Sequence, residues 1–400
     1  MITTFNPKVL AWARKRAGLD EATLAKKVLG RPGAADEVKQ WEETGELTFH
    51  QAELLAQKTY TPFGYLFLEQ PPKEELPIKD FRTPQGHGIR KPSPALLDVI
   101  YQCQRRQAWY REYLISNGAE PLDFVGKSSP QTPVEVTARA IAERIKIGSQ
   151  ISTEIRSWQE NLTLHFEAAE EAGILVMRNG VVGNNNRRKL SRDEFRGFAL
   201  SDEYAPLVFI NTRDANAAQL FTFVHEIAHI WIGESAVSNP IRTYAEANNL
   251  ERYCNAVAAE VLIPLSQIQQ RWRATQDPER EIRKFASLYK VSTLVASRRA
   301  KDAGFITPTE FNQFYEAEIE RYFKSSAATE EKKSVPGGNF HNSLKARAGD
   351  RFCRALIANT LEGKTQYTEA FHLLNLKNTK SFESFARARF PYLINEIPAR

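Results

Sequence analysis

The sequence predicts an α+β fold, mostly helical, on three observations. Apolar residues recur at helical spacing through most of the chain, from Val9, Leu10 and Ala13 near one end to Leu373 and Leu374 near the other. Short runs rich in branched and aromatic residues, which suit strands, are confined to 174–177, 195–200 and 206–210. The last of these runs leads into one long apolar helical stretch, DANAAQLFTFVHEIAHIWIG, so a small sheet is followed at once by a helix that must pack on it.

Bulk properties set the class. A length of 400 residues exceeds what a single core usually organises, so two to four domains are expected. With 42% hydrophobic and 26% charged residues, the chain reads as an ordinary soluble globular protein. No stretch approaches the ~20 uninterrupted apolar residues of a membrane-spanning helix, and MITTFNPKVLAWARKRAG lacks a secretory hydrophobic region. A cytoplasmic protein without a membrane partner is the expectation. Cys103, Cys254 and Cys353 are odd in number and far apart, which fits reduced thiols better than a disulfide framework. The formal charge of +6 is uneven: residues 271–400 hold 23 Lys and Arg against 15 Asp and Glu. That basic third could face nucleic acid or an acidic partner, or be a solvated helical surface.

Residues 1–70 break into short helical blocks, with Gly18 ending the first and Asp20 capping the second. In LAWARKRAGLDEATLAKKVL, WEETGELTFHQAELLA and TPFGYLF this stretch resembles the helix-turn-helix domain of the Cro and phage-repressor (XRE) type. The resemblance implies that the helix around 34–41 enters a major groove, with Lys39 and Gln40 placed to touch DNA. Asp36 and Glu37 on the same helix would oppose phosphates, so DNA binding and protein docking both stay open. Residues 71–132 are expected to be a proline-rich linker followed by a helical segment, since Pro71, Pro72, Pro92 and Pro94 punctuate the stretch before helical spacing resumes at Ala95. Helical patterns return at 133–147 and 151–172, then come the strands, with the polar segment 183–189 read as an exposed loop.

The long apolar helix carries the chemistry. His225 and His229 stand one turn apart on one face, so their imidazoles can converge on one ion. Glu226 projects beside that point, where it can take a proton from water and pass it to a leaving amine. A helix apolar nearly all round is buried, and buried histidines need partners. A third ligand is sought in LERYCNAVAAEVLIP, 22 residues beyond His229. Glu251 and Asn255 share a face there, the carboxylate suited to a metal and the amide to holding an imidazole in one tautomer. Glu260 competes, but nine residues on it points to the opposite side at ~100° per residue. Two imidazoles and a carboxylate suit Zn2+ best.

The ordered set VFIN, FTFVHEIAH and ERYCNAVAAEVLIP is similar to the ImmA/IrrE family of metallo-endopeptidases, which belongs to the gluzincin-like zincins. The resemblance implies a zincin-like domain over 133–325, with His225, His229 and Glu251 on zinc and Glu226 as general base. It further implies that the strand at 206–211 binds an extended substrate by edge pairing, through Val208, Ile210 and Asn211. Its members cleave DNA-binding repressors, so a repressor is the implied protein substrate. A residue to stabilise the oxyanion is not identified; Arg242, Tyr244 and Tyr253 are near in sequence. A trailing helix-turn-helix-like segment, 281–306, offers Arg298, Arg299 and Lys301 to DNA or to packing. A charged, glycine-bearing joint at 330–338 then leads to a small helical domain, 338–400. Two functions follow: a regulatory zinc endopeptidase acting on a repressor, or a non-catalytic DNA-binding regulator or antitoxin that binds a toxin partner.

Overall fold

The computed structural model describes residues 2–81, 91–147, 157–239, 249–273, 277–330 and 339–395. The chain divides into two compact units, Met1–Pro77 with Arg90–Asp98, and Ile78–Ile89 with Val99–Arg400.

The first unit is a helical bundle with one small ladder. Strand β1 (Ile2–Thr4) leads to α1 (Pro7–Arg16), where proline suits the first turn and the Asn6 side chain accepts from the Lys8 amide. Helix α2 (Glu21–Leu29) is capped by Asp20, as its sequence predicts, and stops at left-handed Gly30. Helix α3 (Ala35–Thr44) ends at Gly45, whose φ of 74° and closeness to the Phe5 carbonyl leave no room for a side chain. Strand β2 (Glu46–Thr48) pairs antiparallel with β1, and α4 (Phe49–Thr59) opens on a Thr48–Gln51 capping box. Leu10, Leu24, Val38, Trp41, Leu55 and Leu66 form the bundle's core.

The second unit is α+β. Its elements run β3 (Lys79–Phe81), α5 (Pro94–Ser116), α6 (Val134–Arg144), α7 (Trp158–Glu171), β4 (Leu175–Asn179), β5 (Val181–Val182), β6 (Asn185–Lys189), β7 (Gly197–Leu200), β8 (Leu207–Asn211), α8 (Asn216–Ile232), β9 (Ala236–Ser238) and α9 (Asn249–Leu262), α5 beginning within the first unit. Five strands form one sheet in the order β3-β9-β7-β8-β4. β4 and β8 are parallel, β7 is antiparallel to β8 and β9, and β3 is parallel to β9. The segment 183–189 is therefore not a plain loop: β6 pairs with β5 as a hairpin, and the Asn184 amide donates to the Leu374 and Asn375 carbonyls.

Helix α8 is buried on nearly every side, as its composition requires. Its Phe223 meets Phe166 of α7 edge to face at 4.9 Å, and Trp231 stacks on Phe124 at 4.4 Å. Helices α10 (Leu265–Arg271), α11 (Pro278–Tyr289), α12 (Thr293–Asp302) and α13 (Pro308–Glu330) continue the same core through Ile268, Ile282, Phe285 and Val295. Arg299 is buried in it, donating to the Ile263 carbonyl at 2.8 Å and pairing with Glu260; Arg298 pairs with Asp302 and Lys301 lies over the Phe311 ring. Of these three cations, Arg299 is buried in the core.

Five helices close the chain: α14 (Phe340–Ala348), α15 (Asp350–Leu361), α16 (Tyr367–Leu374), α17 (Thr379–Arg389) and α18 (Pro391–Asn395). They are tied to α5, where Arg106, 2% exposed, donates to the Leu373 and Arg347 carbonyls and Tyr110 receives Arg351. The joint at 331–338 lies outside the described residues. All three cysteines are free and buried. Among the described residues no helix is long and apolar enough to cross a membrane.

Candidate metal centre

Helix α8 begins after Ala215, whose amide donates to Asp214 Oδ1, and the Gln219 side chain donates back to the Asp214 carbonyl. Gly233 closes it at φ 83°. Behind the helix, Gly197 of β7 allows a close approach. A Cβ there would lie 2.7 Å from Thr222 Cγ2, 2.9 Å from the Phe209 carbonyl and 3.0 Å from Glu226 Oε1.

One turn apart on α8, the Nε2 atoms of His225 and His229 are 3.2 Å from each other. Glu251, in the first turn of α9, sets Oε2 3.3 Å from His225 and Oε1 3.0 Å from His229. All three side chains are essentially excluded from water, at 0%, 0% and 1% exposure. Nitrogen lone pairs and a carboxylate facing one another in a dry interior repel unless a proton or a cation sits between them, so the donor set fits a divalent metal. Burial pushes the Glu251 carboxyl up, but the His225 and His229 imidazoles outweigh it and hold it at about 2. Glu226 is the opposite case: burial pushes it up to about 8, against the pull of His229 and of Ser238. Its Oε1 accepts a hydrogen bond from Ser238 Oγ on β9, while Oε2 has no hydrogen-bond partner among the described residues.

Other expectations meet a different geometry. Glu260 is spent on Arg299 and on the Leu265 amide, away from the imidazoles. Asn255 is buried, yet among the described residues neither its amide atoms nor either histidine Nδ1 has a hydrogen-bond partner, so no contact seen there orients an imidazole. The strand carrying Val208, Ile210 and Asn211 is interior, paired with β4 on one side and β7 on the other. It has no free edge for a substrate: Val208 and Ile210 are core, and Asn211 donates to the Phe195 carbonyl. Lys39 and Gln40 lie exposed on α3, Lys39 paired with Asp36 at 3.1 Å. Tyr253 turns its hydroxyl to Thr137 at 2.7 Å. Arg242 and Tyr244 lie outside the described residues.

Four features escaped sequence reasoning. Ser238 and Gly197 frame Glu226. Phe81 stacks on the His229 ring, with centroids 6.0 Å apart. The Arg196 guanidinium, buried, pairs with Asp214 and donates to Asn239 Oδ1, tying the start of α8 to the end of β9. A glycine inside an apolar run was the one local signal.

A family model named for M78 peptidases and described as the IrrE N-terminal-like domain matches residues 169–301, from the end of α7 to α12. A second, a domain of unknown function (DUF8813), matches residues 348–388. No curated protein and no solved structure matches the chain. Residues 169–301, which hold His225, Glu226, His229 and Glu251, are thus similar to a metallopeptidase-like domain of the ImmA/IrrE kind.

Proposed function

We propose that the chain is a zinc-dependent endopeptidase in which His225, His229 and Glu251 hold the metal and Glu226 carries the proton. The observation behind this reading is the convergence of the two Nε2 atoms and both Glu251 oxygens within 3.0–3.3 Å in a water-free interior. Nitrogen and carboxylate donors in a three-ligand set suit a catalytic zinc with one corner open. Zinc bound there would supply the positive charge that polarises a peptide carbonyl and makes water acidic.

The chain's own groups do the rest. Glu226 stands beside the donors without belonging to the set, placed to take a proton and return it to a leaving nitrogen. Ser238 fixes the carboxylate through Oε1, which leaves Oε2 as the proton-carrying atom. The substrate we propose is a protein, a DNA-binding repressor of the kind the sequence resemblance implies, recruited with the help of the N-terminal helical unit. Comparing wild type with Glu226→Gln on candidate repressors tests the reading. Lost cleavage with retained zinc supports it; undiminished cleavage by Glu226→Gln refutes it.

A further inference from the structure

The expected substrate strand turned out to be closed on both sides, which raises the question of where an extended peptide could reach the metal centre. Of the two ends of the sheet, β4 packs against α14 and α15. The other end lies at the metal centre, and it is filled by β3.

We propose that Lys79–Phe81 occupies the peptide-docking edge of the sheet as an internal blocking strand, and that a substrate segment takes the edge of β9 by displacing it. This rests on the endopeptidase reading above. Phe81 is in register with Ser238, the residue that holds Glu226, and its ring lies at 20° to the His229 imidazole. Lys79, in register with Ala236, shares that face by strand alternation, and its Nζ is 2.6 Å from Glu234 Oε2 just past the end of α8. A strand seated here therefore runs beside the catalytic groups, its backbone on β9 and alternate side chains on the metal helix. His225, Glu226 and His229 have no solvent-exposed surface, and the Phe81 ring covers part of His229.

β3 pairs with β9 over a register of only three residues, and its ion pair with Glu234 is partly exposed. Such a strand yields to a competing segment that offers the same backbone pairing. The occupant also shows what the edge accepts, a basic residue over Glu234 and, two positions later, an aromatic ring over His229. Covalently, the strand begins two residues after Pro77, the last residue of the first segment of the N-terminal unit.

The test uses the full-length, zinc-loaded chain with Lys79→Glu/Phe81→Ala, each form also in the Glu226→Gln background, where no cleavage occurs. Two readouts are hydrogen exchange at the Ala236–Ser238 amides and binding of a fluorescent peptide of residues 76–84, LPIKDFRTP. The expected result is exchange at least tenfold faster and peptide binding at least tenfold tighter than in wild type, with Phe81→Trp behaving as wild type because the stack persists. Equal protection and equal peptide affinity in wild type and the double variant would overturn the proposal. Open exchange and tight peptide binding, but no proteolysis when Glu226 is intact, would support the blocking strand and sink the endopeptidase reading.

Discussion

Gly197→Ala is a substitution that strand statistics favour and the geometry forbids. Alanine in place of glycine narrows the unfolded ensemble and by itself would add about 0.4–1 kcal/mol of stability. Here the new methyl would lie 2.7 Å from Thr222 Cγ2, 2.9 Å from the Phe209 carbonyl of β8, and 3.0 Å from Glu226 Oε1. Thr222 is 1% exposed and the Phe209 carbonyl belongs to an interior strand, so neither can retreat freely. Overpacking of this kind costs about 1–3 kcal/mol, which outweighs the entropic gain and leaves a net loss of about 1–2 kcal/mol. At about 2–4 °C per kcal/mol, the midpoint of thermal unfolding should fall by about 2–8 °C. The third contact falls on Glu226, and a displacement of order 1 Å in a catalytic group costs about 100-fold in rate. Cleavage should therefore fall by about 10–100-fold while metal content stays at the wild-type level, because the three donors lie elsewhere on α8 and α9. Calorimetry and a peptide-cleavage assay on one preparation measure both effects. A variant as stable as wild type and equally active would refute the proposed packing of α8 on β7.

Ser238→Ala removes the hydrogen bond to Glu226 Oε1 and should lower kcat by about tenfold with KM and metal content unchanged, a split that steady-state kinetics resolves. Arg299→Ala strands Glu260 without its buried partner and should destabilise the fold by about 3 kcal/mol in urea titration, with zinc content and any DNA affinity untouched. Glu170 is raised from 4.5 to about 7 by burial, then by the charge of Asp350. A folded value above the unfolded one gives stability that is fully present below about pH 4.5 and lost as pH rises through about 7, at most about 3 kcal/mol. Glu170→Gln should therefore flatten the fall in urea midpoint between pH 5 and pH 8, and an unchanged slope would contradict that assignment.

Legibility followed the range of the interactions. Local arithmetic on helices put His225 and His229 on one turn and set Glu251 against Glu260, and in the structure Glu251 faces the imidazoles while Glu260 faces Arg299. The end of the first helix at Gly18 was readable because a positive φ selects glycine. Sheet order was not readable. Strands β3 and β9 have three residues each, too few for an alternation to register, and β3 hides in a proline-rich connector. Leu207–Asn211 was mistaken for an edge because its neighbours on the two sides, β4 and β7, come from separate short runs, and the edge falls instead to β3, whose partner β9 is more than a hundred residues away. Asn255 failed for a different reason: spacing fixes the side of a helix, while packing fixes where the amide points.

Metal analysis of the purified chain after zinc loading and exhaustive dialysis tests the centre most directly. Wild type and Glu226→Gln should each retain a single zinc ion per chain, and His229→Ala and Glu251→Ala should retain almost none while keeping their helical content. Zinc that stays undiminished in Glu251→Ala, or is absent from wild type, would contradict a centre built from these three donors.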